Sequence, residues 1–100
     1  MKQYVAVEWL HTALDEPIWL YYELDTDRHE CRKVEEYRDG RMNSADARHG
    51  QGSTFLAWES HPSLAEINAD PQFRAQEITA PRFEQIWLRA TRFMLAPAAK

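Results

Sequence analysis

The chain has 100 residues, of which 44% are hydrophobic, 12% aromatic and 28% charged, and its formal net charge is -4. This length and composition are typical of one small globular domain, and they exclude a two-domain enzyme, a coiled coil and a wholly disordered chain. The acidic balance argues against nucleic acid as a partner, because phosphate neutralisation by basic residues supplies most of the affinity of nucleic-acid binders. We predict one domain over residues 1–95 and a frayed tail over 96–100.

The cysteine content and the N-terminal sequence predict a cytoplasmic protein. Cys31 is the single cysteine, so the chain cannot form an internal disulfide. The apolar run that begins at Tyr4 soon meets Glu8 and His11, which is not typical of a signal peptide. No stretch reaches the roughly 18–20 apolar residues of a membrane span, so we expect no membrane association.

Apolar, β-branched and aromatic residues predict four strands in the first half of the chain. These strands cover residues 3–10, 18–24, 28–38 and 41–47. The second strand carries large apolar side chains on both faces, which indicates a central position in the sheet. Asp39-Gly40 is a strong signal for a two-residue hairpin loop between the third and fourth strands.

The third predicted strand is the most highly charged, and strict alternation gives it no cleanly apolar face. A β-bulge near Arg32 and Lys33 would allow Cys31 and Val34 to point toward the same interior. A regular ladder of pairs through residues 28–38 would contradict this hypothesis.

Two helices are predicted in the second half of the chain. Ser63 and Glu66 have the spacing of a capping box, and this helix should end near Asp70-Pro71, because the residue before proline avoids helical dihedrals. Thr79 is the predicted cap of a longer helix with Pro81 in its first turn. One arc of that helix is apolar and contains Phe83, Ile86, Trp87, Ala90, Phe93 and Met94.

The order of elements predicts an α+β fold. We expect an antiparallel sheet of about four strands, packed by one short and one longer C-terminal helix. Residues 48–53 are predicted to form a loop, and residues 54–58 (TFLAW) are compatible with a short strand or an apolar plug.

The segment 23–41 contains seven acidic and five basic residues. A solvated hairpin with weak cross-strand ion pairs would account for this composition. The functional alternative is an acidic docking surface for a basic protein, where charge raises the association rate and selects the partner. In that interpretation the partner contacts are Glu30, Glu35, Glu36 and Asp39, with Trp19 as an exposed aromatic anchor.

A second hypothesis is a small ligand-binding domain or enzyme. Its pocket would be formed by Glu8, His11, Trp19 and Arg32. The sequence contains no recognisable arrangement of nucleophile, metal ligands and phosphate-binding loop, so we predict no catalytic residues.

A third hypothesis is an RNA-associated domain, and it requires one basic field. Its residues would be Arg74, Arg82, Arg89 and Arg92. His29 and Cys31 share a strand face, but no further ligands follow at a diagnostic spacing, so we expect neither a metal nor a cofactor.

Several stretches of the chain resemble a family of small bacterial proteins of unknown function. They are VEWLH (7–11), EPIWLYYELD (16–25), RKVEEYRDGR (32–41), ADPQFRAQEIT (69–79) and FEQIW (83–87). The resemblance covers about residues 4 to 90, and it implies a compact α+β fold with no assigned catalytic residues. Families of this kind often include immunity proteins, which neutralise a bacterial toxin by binding it. The resemblance therefore implies a non-enzymatic protein-binding domain with a toxin domain as its partner.

Overall fold

The computed structural model describes residues 1–47, 54–57 and 59–95 and contains one five-stranded sheet with a helix on each face. Its elements, in chain order, are β1 (Gln3–Trp9), β2 (Trp19–Leu24), β3 (Glu30–Glu36), β4 (Met42–Asp46), α1 (Leu64–Asn68), β5 (Phe73–Ile78) and α2 (Ala80–Leu95). The predicted loop 48–53, the predicted tail 96–100, Trp58 and the side chains of Phe93 and Met94 lie outside what is described.

The α+β class is confirmed, and the sheet has one strand more than predicted. Its order is β4-β3-β2-β1-β5, and every neighbouring pair is antiparallel. The additional strand, β5, lies at one edge beside β1; Phe73, Ala75 and Ile78 are only partly buried, and the polar pair Gln76-Glu77 interrupts its alternation. Residues 54–57 do not form a strand.

Alternation along the strands gives the sheet two apolar faces. On the face covered by α2, the buried cluster contains Ala6, Tyr21, Val34, Met42, Phe83, Ile86 and Ala90. On the face covered by α1, it contains Val5, Val7, Tyr22 and Leu24, with Leu20, Leu64, Ile67, Phe73 and Ala75 packed against it. The central position predicted for β2 is therefore confirmed, and each helix faces its own half of the core.

The predicted bulge in β3 is present, one residue earlier than expected. Glu23 pairs with Arg32 and Leu24 pairs with Glu30, so Cys31 is the additional residue. Val34 is fully buried and Cys31 only partly.

The hairpin after β3 differs from the prediction in its loop length. Gly40 N–H donates to the Tyr37 carbonyl at 2.9 Å, and Tyr37 N–H donates to the Arg41 carbonyl at 2.8 Å. Three residues, rather than two, therefore lie in the loop. Gly40 has φ 91°, which identifies a turn followed by a left-handed residue.

Both predicted helix caps are confirmed. Glu66 N–H donates to Ser63 Oγ at 3.2 Å while Ser63 N–H donates to Glu66 Oε1 at 3.0 Å, which completes the capping box of α1. At the start of α2, Arg82 N–H donates to Thr79 Oγ1 at 3.2 Å.

Candidate functional site

Two of the acidic residues predicted to contact a partner, Glu30 and Glu35, hold a neighbouring segment of the chain. Thr54 Oγ1 donates to Glu35 Oε1 at 2.6 Å, and Ala57 N–H donates to Glu30 Oε1 at 2.9 Å. The Glu35 side chain is only 13% exposed, and it lies opposite Leu20 on the α1 face. These two carboxylates therefore fix residues 54–57 along β3.

The other two acidic residues lie elsewhere. Glu36 faces α2, because Tyr21 Oη donates to its Oε1 at 3.1 Å and Arg89 Nη2 lies 3.9 Å from its Oε2. Asp39 is in the hairpin loop, and its side chain is 66% exposed. The four predicted contacts are thus divided between two faces of the sheet and the hairpin loop, and they do not form one surface.

A row of four polar or aromatic side chains crosses the sheet on the α2 side. The strand register places Glu36 beside Trp19, Trp19 beside Glu8, and Glu8 beside Arg74. Arg74 Nη1 lies 3.9 Å from Glu8 Oε1. Residues from four different strands are therefore assembled in one line.

A groove of about 270 Å³ lies between this row and α2, and we call it the α2-face groove. Its floor is formed by Ala6, Ile78 and Ile86, and its other lining residues are Trp19, Tyr21, Glu36, Gln76, Arg82 and Arg89. The groove contains Trp19 and Glu36 of the predicted partner contacts. It also contains Arg82 and Arg89, two of the four arginines that the RNA hypothesis requires.

The aromatic part of the α2-face groove is a stacked pair. The rings of Trp19 and Tyr21 are nearly parallel, at an interplanar angle of 8°, and their centroids are 5.8 Å apart. Burial, and then the neighbouring Glu36 carboxylate, raises the pKa of Tyr21 far above its ordinary value. The Tyr21 hydroxyl therefore remains protonated and donates its hydrogen bond to Glu36.

The charged part of the groove comes mainly from α2. Arg82 and Arg89 are seven residues apart, so they lie two turns apart on the same side of the helix. Both are exposed. The groove thus offers an aromatic shelf beside two guanidinium groups, with Glu36 as the one carboxylate among its lining residues. This combination suits a partner group that carries a carboxylate next to an apolar surface.

The pocket predicted from Glu8, His11, Trp19 and Arg32 does not form. Glu8 and Trp19 are neighbours, but His11 turns away, because its Nε2 bonds the Pro17 carbonyl at 2.7 Å and its Nδ1 accepts Ala13 N–H at 3.0 Å. Arg32 pairs with Glu23 and Glu84, four residues along β3 from the Glu36 that faces Trp19. The four side chains therefore do not converge on one ligand.

The basic field required for RNA binding is also divided. Arg82 and Arg89 line the groove and Arg74 is paired with Glu8, whereas exposed Arg92 is not among the lining residues. Carboxylates of Glu8 and Glu36 interrupt the field, which weakens its attraction for phosphate.

Asp25, Asp27 and His29 are the group of side chains best placed to hold a metal ion in the described part of the chain, since their ligand atoms lie within 4.8 Å of one another. Asp25 Oδ1, however, already accepts the backbone N–H groups of Asp27 and His29, both at 2.9 Å. The cluster is therefore explained by the turn between β2 and β3. Burial raises the pKa of the nearby Cys31 thiol, so this group is a poor thiolate ligand.

The chain is a small α+β domain with a groove lined by aromatic and basic side chains. Residues 3–92 match the family model described as "Domain of unknown function (DUF6881)", so the chain belongs to the DUF6881 family. The predicted resemblance to a family of unknown function is thereby confirmed. No curated protein and no solved structure matched the chain. Among the described residues, no helix is long and apolar enough to cross a membrane.

Proposed function

We propose that this chain is a non-enzymatic, cytoplasmic protein-binding domain whose partner docks over the α2-face groove. The observation that carries the proposal is the convergence of Trp19, Arg82 and Arg89 on one groove from two distant parts of the sequence. Aromatic and arginine side chains at the centre of a concave surface are the groups that contribute most to binding energy in protein interfaces.

The chemistry of the groove supports binding over catalysis. Tyr21 is held in its protonated form and already donates to Glu36, so it is a weak candidate for proton transfer at neutral pH. Guanidinium groups stay protonated and serve as fixed donors. A groove of this composition can orient a carboxylate and bury an apolar side chain.

The narrower form of the proposal is that the chain is a bacterial immunity protein that neutralises a toxin domain. Its support is the small size of the chain and the resemblance described above. An immunity protein needs only a surface that covers its toxin, and the α2-face groove supplies an anchor for such a surface.

A comparative pull-down tests the location of the interface. Tagged wild-type protein, the R82A/R89A variant and the R92A variant are each incubated with lysate of the organism that encodes the chain, and bound proteins are quantified by mass spectrometry. Arg92 is exposed on the same helix outside the groove, so R92A is the matched control. We expect a partner enriched by wild type and R92A and depleted at least tenfold by R82A/R89A.

Charge reversal at the hairpin loop separates the two candidate surfaces. The D39K variant should retain the partner, because Asp39 lies in the loop and does not line the groove. Loss of the partner with D39K, together with retention by R82A/R89A, would place the interface at the hairpin and refute the groove.

The immunity proposal is tested on the recovered partner. If the partner is a toxin, one equivalent of wild-type chain should abolish its activity, and R82A/R89A should require a much higher concentration. A partner with no toxic activity would refute the immunity form while leaving the binding proposal intact.

A further inference from the structure

A second concave site lies on the opposite face of the sheet, between the strands and α1. This α1-side cleft has a volume of about 320 Å³, which falls at the lower end of the range of roughly 300–1,000 Å³ for ligand sites. Its floor is apolar and aromatic and consists of Val7, Leu20, Tyr22 and Phe73. No residue that lines it also lines the α2-face groove.

The cleft exists because α1 is too short to cover its face of the sheet. The helix has five residues, none of them buried, and two of them, Glu66 and Ile67, line the cleft. Leu20 and Phe73 are consequently only partly buried, although they pack against the core cluster on this face. Apolar surface is left at the bottom of an open depression, where a ligand could remove it from water.

Two carboxylates lie on the rim, and both are held in position by the backbone. Glu66 Oε1 accepts Ser63 N–H at 3.0 Å, and Asp70 Oδ1 accepts Gln72 N–H at 2.9 Å. Each carboxylate therefore commits one oxygen to the backbone, and among the described residues no hydrogen bond is made to its second oxygen. The hydrogen bonds to Ser63 also keep the pKa of Glu66 below its ordinary value, so the group is ionised at neutral pH.

Arg28, whose charge also lowers the pKa of Glu66, directs most of its hydrogen bonds at backbone carbonyls. Arg28 Nε donates to the His61 carbonyl at 3.1 Å, and its Nη2 donates to the Pro62 carbonyl at 2.6 Å. Its remaining terminal nitrogen donates to Gln3 Oε1 at 2.6 Å. Arg28 is not among the residues that line the cleft, whose formal charges are those of Glu66 and Asp70.

His61 adds a neutral aromatic ring to the cleft wall. It packs on Tyr22 with a centroid distance of 4.3 Å, and burial lowers its pKa. Its buried Nδ1 has no hydrogen-bond partner among the described residues. The wall is thus aromatic and uncharged, while the rim is anionic.

We propose that the α1-side cleft binds a small hydrophobic amine, with the aromatic or apolar body on Tyr22 and Phe73 and the ammonium group at Glu66 and Asp70. Apolar burial supplies the affinity, and the rim carboxylates select the cation over neutral or anionic molecules of the same shape. The site lies on the face opposite the α2-face groove and does not depend on the function proposed for that groove.

A titration followed by amide chemical shifts tests the selectivity. Tryptamine is the probe, and tryptophol and indole-3-propionate are its neutral and anionic analogues. We expect shifts centred on Tyr22, Ile67 and Phe73, with tryptamine bound roughly 3- to 10-fold more tightly than tryptophol and indole-3-propionate most weakly. Equal affinity for the three probes, or shifts centred elsewhere, would refute the site.

Variants of the rim and of the cleft separate the contribution of the carboxylates from that of apolar burial. Glu66→Gln preserves the capping box and Asp70→Asn preserves its turn, so the double variant should fold normally. The double variant should bind tryptamine only as tightly as tryptophol, and its affinity for tryptophol should equal that of wild type. Ile67→Trp should fill the cleft and abolish the binding of tryptamine and of tryptophol. Leu20→Phe serves the same purpose if Ile67→Trp does not fold. R82A/R89A is the control and should bind tryptamine normally, even if it loses its protein partner.

Discussion

Arg32 joins two strands and a helix through one guanidinium group. Its Nε and Nη2 donate to the two oxygens of Glu23 at 2.8 and 2.9 Å, and its guanidinium also pairs with Glu84. The guanidinium carbon lies 5.0 Å from the ring centroids of both Phe83 and Trp87. One side chain of β3 therefore joins β2 to α2, in contrast to the weak exposed pairs expected for this segment.

Replacement of Arg32 should be strongly destabilising. Arg32→Met leaves the Glu23 carboxylate, whose side chain is only 6% exposed, without its main partner, so we expect the free energy of unfolding to fall by about 2–3 kcal/mol. Urea denaturation measures this change. Arg74→Met is the matched control, because the Arg74 side chain is 73% exposed and its ion pair should contribute less than about 0.5 kcal/mol. Similar losses of unfolding free energy in Arg32→Met and Arg74→Met would contradict the structural role assigned to Arg32.

His61 should make the stability of the domain depend on pH. Burial holds its pKa in the folded state below the ordinary value of 6.5, so the unfolded chain binds this proton more readily. The stability that depends on a neutral His61 is therefore fully present above pH 6.5. The free energy of unfolding decreases as the pH falls from 6.5 toward the pKa of His61 in the folded state.

Denaturation curves at several pH values between 7.5 and about 5 test this prediction. His61→Phe keeps an aromatic ring against Tyr22 and should flatten the decline. His29→Gln changes an exposed histidine in the turn before β3 and serves as the control for the loss of one histidine. An unchanged slope in His61→Phe would assign the pH dependence to other groups.

At the scale of elements, the N-cap of α2 should have a measurable effect on stability. Thr79→Ala removes the oxygen that accepts Arg82 N–H, and we expect a loss of about 1 kcal/mol. Thr91→Ala is the internal comparison, since Thr91 Oγ1 donates only to carbonyls of the preceding turn and its replacement should be nearly neutral. Thermal unfolding of the two variants should rank them in this order, and the reverse order would argue against Thr79 as the cap.

The elements that could be predicted are those whose signals are local. β1 to β4 and both helices are predicted from alternation, the Asp39-Gly40 turn, an apolar arc or capping residues, and their types and positions match the structure. β5 could not be recognised, because its residues Arg74, Gln76 and Glu77 are exposed and the strand is defined by pairing with β1. Pairing between distant segments leaves no local pattern in an edge strand of this composition.

At the scale of the whole molecule, the candidate site depends on strand order. Trp19 and Glu36 belong to one predicted set of partner contacts, whereas Arg82 and Arg89 belong to the RNA hypothesis. They line one groove because β2 lies beside β3 and α2 crosses the same face of the sheet. The opposite directions of Glu35 and Glu36 follow from simple alternation, but the bulge at Cys31 determines the face on which Glu30 lies.

The layered arrangement also predicts how stability is distributed through the domain. β2 is the middle strand and is covered on both faces, whereas β5 is an edge strand without a buried residue. Opening β2 requires disruption of both core clusters, so its amides should exchange with solvent only through global unfolding. β5 can separate from β1 while both clusters largely persist, so its amides should exchange through a local opening.

Native-state hydrogen exchange at increasing, sub-denaturing urea concentrations distinguishes these two routes. Amides of Tyr21 and Tyr22 should show the full free energy of unfolding and a strong dependence on urea, because global unfolding exposes much surface. The bonded amides of β5 should show a smaller free energy and little dependence on urea. Equal values in β2 and β5 would mean that the edge strand unfolds only with the core, and that α1, which packs against β5, is part of the same cooperative unit.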